Sequence, residues 1–164
     1  MHTTLSTLTF AEEMSEKTGL TITPATNART VVEDNAFIIT CTTGTKSPLF
    51  EAASLATEGV TVFNISGAAT PPDALAFMDR LVTDSWEDCQ DRGSQSLPLA
   101  VVEGYVKESQ IEELGTILKT GEGRRTHSEN VFFCPVGAGM HDTLVAWRVY
   151  NSALVKGIGT PLSL

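Results

Sequence analysis

The sequence is short of positive charge. Lysine and arginine number 11 against 20 aspartate and glutamate, a net charge of −9. Nucleic-acid binding draws on a cationic surface that replaces phosphate counterions, so this balance argues against that class and against an anionic membrane surface. Cysteine is scarce too. Cys41, Cys89 and Cys134 are odd in number and far apart, with no C-x-x-C, so neither a disulfide framework nor a zinc site is suggested. They read as buried or half-buried thiols of a reducing compartment, with Cys41 lying beside a candidate pocket. His2, His127 and His141 lack metal-ligand spacing, and no metal is expected. No run approaches the roughly 20 apolar residues of a membrane span. The opening Met1-His2-Thr3-Thr4 lacks the basic and apolar regions of a secretory signal, so a cytoplasmic location is expected.

Motifs are missing as well. G-x-x-x-x-G-K-[ST] does not occur, which argues against a P-loop NTPase, and G-x-S-x-G does not occur, which argues against an α/β-hydrolase. G-x-G-x-x-G, the turn that brings backbone N–H groups and a helix N-terminus against a pyrophosphate, is also absent.

What is present is an alternation of strands and helices. The 164 residues fit one domain, with 41% hydrophobic and 19% charged residues, an ordinary soluble composition. Residues 4–10 read as a short strand or frayed arm, 10–19 as a helix closed by Gly19, and 20–26 as an alternating strand ending at Pro24. Asn27 is placed to cap a short helix over 27–35. The runs 36–43, 59–66, 81–86 and 130–137 are continuously apolar, the mark of strands covered on both faces. Residues 73–80 read as a turn or two of helix, 109–121 as a helix and 87–98 as a polar loop. The helix over 141–157 offers Leu144, Trp147, Val149, Leu154 and Val155 as apolar positions, and Trp86, Trp147, Phe132 and Phe133 read as core. This order predicts βαβ crossovers and a mostly parallel sheet.

Between Thr61 and Asp79 an apolar strand ends in the small residues Ser66-Gly67-Ala68-Ala69, then Pro71-Pro72, with no charged side chain before Asp73. This is a pocket floor without an acid, base or nucleophile. Together with Thr40-Cys41-Thr42-Thr43, Glu113-Leu114-Gly115, Gly123-Arg124, Val131-Phe132, Gly137, Asp142 and Gly157-Ile158-Gly159, taken in order, it resembles the ornithine cyclodeaminase/mu-crystallin family. The resemblance covers residues 20–164. It implies a truncated Rossmann-like three-layer α/β/α fold with a mostly parallel sheet, lacking the first strand and glycine-rich loop. Residues 1–164 would be a single domain, with 1–19 a possible swapped or packing arm. Family members are about twice this long and carry an N-terminal substrate and dimerisation domain. Since the first strand of a Rossmann sheet is central, a gap in the middle of the sheet is expected. Residues 4–10, a closing of the sheet, or a second chain could fill it. A homo-oligomer is therefore expected, with a hetero-partner supplying the missing strand as the alternative.

The acidic residue of the family's elbow falls at Ala69, which has no ionisable group. His141 and Asp142 open the last helix. Asp142 reads either as a first-turn acid favoured by the helix dipole or, with His141, as an acid/base pair, since imidazole suits proton transfer near neutral pH. The resemblance implies that Thr40, Thr42, Thr43, Asn64, Gly67, Ala69 and Gly137 line the ligand. The bland alternatives are strand threonines and a buried Asn64 satisfied by backbone. Arg124, Arg125 and His127 could form an anion patch or a solvated loop, and the acids of 84–91 read as a solvated helix start.

Two functions follow. One is a small-molecule enzyme acting by cofactor-independent acid/base chemistry: cyclisation, dehydration or isomerisation of an amino- or imine-bearing metabolite, a cyclase, lyase or isomerase and not a dehydrogenase. NAD(P) is not expected without the glycine-rich loop. The other is a non-catalytic ligand-binding protein or partner subunit of a full-length cyclodeaminase-like protein.

Overall fold

The computed structural model describes residues 4–43, 46–55, 58–160 and 162. Five short strands form one sheet: β1 Phe37–Thr40, β2 Thr61–Asn64, β3 Arg80–Thr83, β4 Ile111–Glu113 and β5 Val131–Cys134. Their order is β1-β2-β5-β3-β4, and every neighbouring pair is parallel. The mostly parallel α/β sheet read from the sequence is thus the observed one. The expected central vacancy is not. The strands are hydrogen-bonded without a break, and β1 and β4 form the two edges. The expectation placed the missing first strand among the strands present, but these five are all neighbours of one another in one continuous order.

Side chains alternate across the sheet. Ile38, Val62, Phe132 and Leu81 stand in register as one row and are buried. They pack with Val32, Phe50, Leu75, Met78, Cys89, Leu97 and Ala100 from the flanking helices and turns into one core. The next row, Ile39, Phe63, Phe133 and Val82, points the other way. Phe63 and Phe133 meet edge to face with centroids 4.8 Å apart. Toward β1 this face is open, with Phe37 60% and Ile39 54% exposed.

Helices differ from the sequence reading in four places. Residues 4–10 are no strand: Thr4–Thr18 forms one helix, α1. Residues 20–26 form no strand, because no neighbour pairs with them among the described residues. The polar loop 87–98 contains two helices, α3 Trp86–Arg92 and α4 Ser96–Val102. Ser85 caps α3 by accepting from the Asp88 N–H, and Gly93 closes it at φ 56° in the left-handed region. Pro98 sits in the first turn of α4, where a helix leaves its N–H groups unpaired anyway. The span 109–121 divides into β4 and α5 Leu114–Thr120. The expected short helix behind Asn27 is α2, Ala28–Glu33, with Asn27 Oδ1 accepting from Thr30 N–H at 2.9 Å. Residues 73–80 become a 3-10 turn, Pro72–Phe77.

The last helix, α6 Gly139–Lys156, buries none of its residues. Leu144, Trp147, Val149, Leu154 and Val155 are all exposed, so Trp147 does not belong to the core. Phe132 does, while Phe133 and Trp86 are half-buried.

Polar ties fix the amino ends of the strands. Asn130 Oδ1 accepts from Val60 N–H at 3.1 Å, and its carbonyl accepts from Asp79 and Arg80 N–H. Arg80, 4% exposed, donates Nε to Glu112 at 2.8 Å and Nη1 to the carbonyls of Glu122 and Gly123. Arg124 donates to the carbonyls of Gly59 and Glu129, so it is a structural arginine rather than half of an anion patch.

The two rows of side chains predict opposite responses to substitution. Phe132→Ala removes a fully buried ring and is expected to cost about 3–5 kcal/mol in urea unfolding, while Ile39→Glu on the open face is expected to stay within about 0.5 kcal/mol.

Candidate functional site

The carboxyl ends of β1, β2, β5 and β3 converge on one rim, where ligands of open α/β sheets bind. The side chain of Asn64 organises it. Asn64 is 1% exposed. Its Oδ1 accepts from Thr40 Oγ1 at 3.0 Å and Thr70 Oγ1 at 2.9 Å, and its Nδ2 donates to the carbonyls of Gly67 at 3.1 Å and Ser66 at 3.3 Å. A side-chain amide has two lone pairs and two protons on offer, and all four are used. Asn64 therefore shapes the elbow from below and has no bond left for a ligand.

Two further ties hold the elbow. Thr42 N–H donates to Ser66 Oγ at 3.1 Å, joining the end of β1 to the turn after β2. Ser96, at the start of α4, donates Oγ to the Thr70 carbonyl at 2.6 Å and its N–H to the Gly67 carbonyl at 3.2 Å. Ala68 and Ala69 are buried within this frame, and the Ala69 carbonyl accepts from Leu49 N–H at 2.9 Å. What the rim presents outward is Cys41, Thr42 and Thr43, with Ile65 and half-buried Gly67.

Of the residues expected to line a ligand, Thr40, Thr42, Asn64 and Gly67 come together through these bonds. Thr43 is exposed beside them, and Ala69 lies beneath the surface. Gly137 is exposed at the turn into α6. His141 and Asp142 are exposed in the first turn of α6, and no hydrogen bond among the described residues joins their side chains to the elbow. The Cys134 thiol donates to Gln95 Oε1 at 2.8 Å. Its contact with the Cys89 thiol and its burial push it well above the usual thiol range, so it stays protonated.

One residue escaped the sequence reading. Asp84, just after β3, accepts Val136 N–H on Oδ1 and Gly137 N–H on Oδ2, each at 2.8 Å, and Ser85 N–H at 3.0 Å. Burial pushes its carboxyl up, but the N–H groups of Val136, Gly137, Asp84 and Ser85 outweigh that and hold it below the usual carboxylate range. The sequence showed it only as one acid among several in 84–91. It locks the turn from β5 to α6 and occupies two amides that could otherwise serve an anion. A cavity of about 800 Å³ lies at the opposite, amino end of the sheet, among Leu55, Phe77, Met78, Asp79, Arg125 and Asn130.

Asp84→Asn keeps the shape but turns an NH₂ toward one of these N–H groups, and is expected to cost about 1.5 kcal/mol at neutral pH. A carboxyl held low in the fold contributes stability above its unfolded pKa and loses it as pH falls through the folded one. The gap between wild type and variant in urea unfolding is therefore expected to be full at pH 7 and to shrink below about pH 4.

The pattern of the ornithine cyclodeaminase/mu-crystallin family matches residues 3–157. N-((2S)-2-amino-2-carboxyethyl)-L-glutamate dehydrogenase of Staphylococcus aureus is 32% identical over 141 residues, 84% of this chain and 41% of the relative. The structure of Thermococcus litoralis Delta(1)-pyrroline-2-carboxylate reductase in complex with NADH and L-proline superposes with a TM-score of 0.82 at 26% identity, over 98% of this chain and 51% of that one. An archaeal alanine dehydrogenase, solved as a dimer with bound NAD, shares the fold at a TM-score of 0.75 and 21% identity, over 93% and 48%. The chain thus spans about half the length of the relatives it matches. These findings overturn the expectation of cofactor-independent cyclase, lyase or isomerase chemistry. The relatives are dehydrogenases and reductases, and solved ones hold NADH or NAD. The error lay in taking a missing phosphate loop and an acid-free elbow as a missing cofactor, although a hydride donor asks for neither at the elbow. Among the described residues no helix is long and apolar enough to cross a membrane. The chain belongs to the ornithine cyclodeaminase/mu-crystallin family.

Proposed function

We propose that this chain contributes the nicotinamide side of an NAD(P)H-dependent reductase acting on an α-imino acid, the reverse direction being dehydrogenation of the amino acid. The observation that carries this reading is the superposition of 98% of the chain on the NADH-bound pyrroline-2-carboxylate reductase. The first relative, a dehydrogenase of an N-linked amino acid, has the same chemistry in its name: a carbon–nitrogen bond beside a carboxylate.

The rim suits one part of the cofactor. Thr42, Thr43 and Gly67 form a small, uncharged wall against which a flat ring packs closely, held from below by Asn64, Thr40 and Ser66. When bound, the nicotinamide supplies or takes up a hydride. The wall orients it and keeps charge away from the transfer path. His141 and Asp142, exposed at the start of α6, are the titratable groups proposed to exchange the proton at the substrate nitrogen, with imidazole the carrier near neutral pH. The exposed apolar side chains of α6, including Leu144 and Trp147, are proposed to be covered by a second copy. That reading fits the dimeric archaeal dehydrogenase, and light scattering at micromolar concentration is expected to give a dimer, a monomer speaking against it.

A chimera tests the activity. This chain replaces the half of the Thermococcus litoralis reductase that it matches, and NADH consumption is followed with Delta(1)-pyrroline-2-carboxylate and with an open-chain imino acid. Imine-dependent NADH consumption is expected, and His141→Ala is expected to lower kcat about 100-fold or more. A folded chimera that binds NADH but reduces neither substrate would show the reading to be wrong.

A further inference from the structure

The cavity of about 800 Å³ at the amino end of the sheet has a volume typical of small-molecule sites. It lies at the far end of the strands from the rim, so its chemistry does not depend on the hydride reaction proposed there. One wall is apolar. Leu55 follows the 3-10 turn Ala52–Ser54, and Phe77 and Met78 close the turn that leads into β3. Phe77 is 66% exposed, so its ring is not spent on the core.

The other wall is polar, and hydrogen bonds stitch it together. Asp79 Oδ2 accepts Asn130 N–H at 2.7 Å, and Glu129 Oε2 accepts Arg125 N–H at 2.8 Å. Each carboxylate spends one oxygen on the backbone. The second oxygens, Asp79 Oδ1 and Glu129 Oε1, make no hydrogen bond among the described residues. Glu129 is only 7% exposed. Yet among the described residues no fully buried side-chain oxygen lacks a partner. Glu129 Oε1 therefore reaches open space, and the open space that Glu129 lines is this cavity. Glu58 adds a third carboxylate to the lining, exposed and outside every hydrogen bond among the described residues. Against the three stands Arg125. Its guanidinium makes no hydrogen bond or ion pair among the described residues, and its charge only favours the ionised form of nearby Glu112.

This mixture of signs selects a ligand. A bare anion such as phosphate meets three carboxylates, and an amine without an acid meets Arg125, each an unfavourable like-charge approach. Among the described residues no acids and histidines converge tightly enough to hold a metal ion. A head group carrying both an ammonium and a carboxylate satisfies the two signs at once. The ammonium has three N–H donors for the uncommitted oxygens of Asp79, Glu129 and Glu58, and the carboxylate matches the planar fork of Arg125. An apolar body then packs on Leu55, Phe77 and Met78. We propose that the amino-end cavity binds a free α-amino acid with an apolar or aromatic side chain. The bound molecule joins the segments that enter β2, β3 and β5, which Asn130 ties from within.

The test follows backbone amide resonances of the isotope-labelled 164-residue chain during titration with L-phenylalanine and with L-leucine. Phenethylamine and isoamylamine are the same molecules without the carboxylate, and hydrocinnamate and isocaproate are the same without the ammonium. At least one amino acid is expected to shift the amides of Phe77, Asp79 and Glu129 while those of Thr42 and Gly67 at the rim stay in place. It is expected to bind about 10-fold or more tightly than either of its partial analogues. Arg125→Met keeps the backbone N–H that holds Glu129 and is expected to erase the advantage of the amino acid over the amine. Asp79→Asn keeps an acceptor for Asn130 N–H and is expected to weaken amino acid and amine alike; if it disturbs the fold, Glu58→Gln, on an exposed side chain, takes its place. The proposal is overturned if neither amino acid moves these amides at about 10 mM, if the shifts fall at the rim instead, or if an amine or a carboxylic acid binds as tightly as its parent. Unchanged amino-acid affinity in folded Arg125→Met overturns it as well.

Discussion

The saturated amide of Asn64 is the constraint on which the carboxyl end of the sheet depends. One side chain receives hydroxyl protons from Thr40 and Thr70 and gives its own to two elbow carbonyls. An amide buried with any of these bonds missing would carry the desolvation cost of an orphaned group, about 1–3 kcal/mol each. The elbow is thereby drawn close under β1 and β2, and only small residues fit there. Ser66, Gly67, Ala68 and Ala69 follow from that closeness. The absence of acids and bases on the floor follows too, because Ala68 and Ala69 are buried and a charge at either would have no solvent and no partner. A surface made this way cannot move protons. In the reading proposed above it is the wall against which the flat nicotinamide ring packs, which is what hydride exchange asks of a protein surface.

The amino ends are tied by different means to the same effect. Asn130 links β2, β3 and β5 through backbone and side chain, and Arg80 joins β3 to β4 and to the chain before Gly123. Both ends of the sheet are thus tied by buried polar groups. Its unfinished parts are lateral: the edge of β1 with its open face, and the helix α6 standing out with no buried residue.

The legible part of the fold was whatever local chemistry decides. Ile38, Val62, Leu81 and Phe132 announced their strands by unbroken apolar runs, and Asn27 and Gly157 marked helix ends by their capping roles. Whatever depends on a neighbour stayed hidden. Residues 20–26 alternate like a strand, yet a strand exists only when something pairs with it. Leu144 and Trp147 look like core positions, but apolar spacing cannot say whether a covering surface is present. In 87–98 the polar residues masked two helices, although the caps of the first, Ser85 and Gly93, were there to be read. At the site the small-residue elbow was visible, and Thr40, Thr42, Asn64 and Gly67 do meet. Asn64 turned out to be saturated, and Asp84 was missed because its partners, Val136 and Gly137, lie 52 and 53 residues away.

The larger misreading was chemical, and its cause is general. A cofactor was not expected because one motif for holding it was absent, as though ring and diphosphate had to be gripped by the same stretch of chain. They are distant parts of one ligand with opposite demands. The diphosphate wants unpaired N–H groups and positive potential. The ring wants close, neutral contact. In the reading proposed above Thr42, Thr43 and Gly67 meet the second demand, while the turn into α6 works against the first, since Asp84 consumes two N–H groups and adds negative charge. Asp84 also sets the start of the last helix. By drawing the turn after β5 onto the end of β3, it fixes where α6 begins and hence where His141 and Asp142 stand. A phosphate drawn to that same helix start would compete with the carboxylate for the turn and displace the groups proposed to carry the proton.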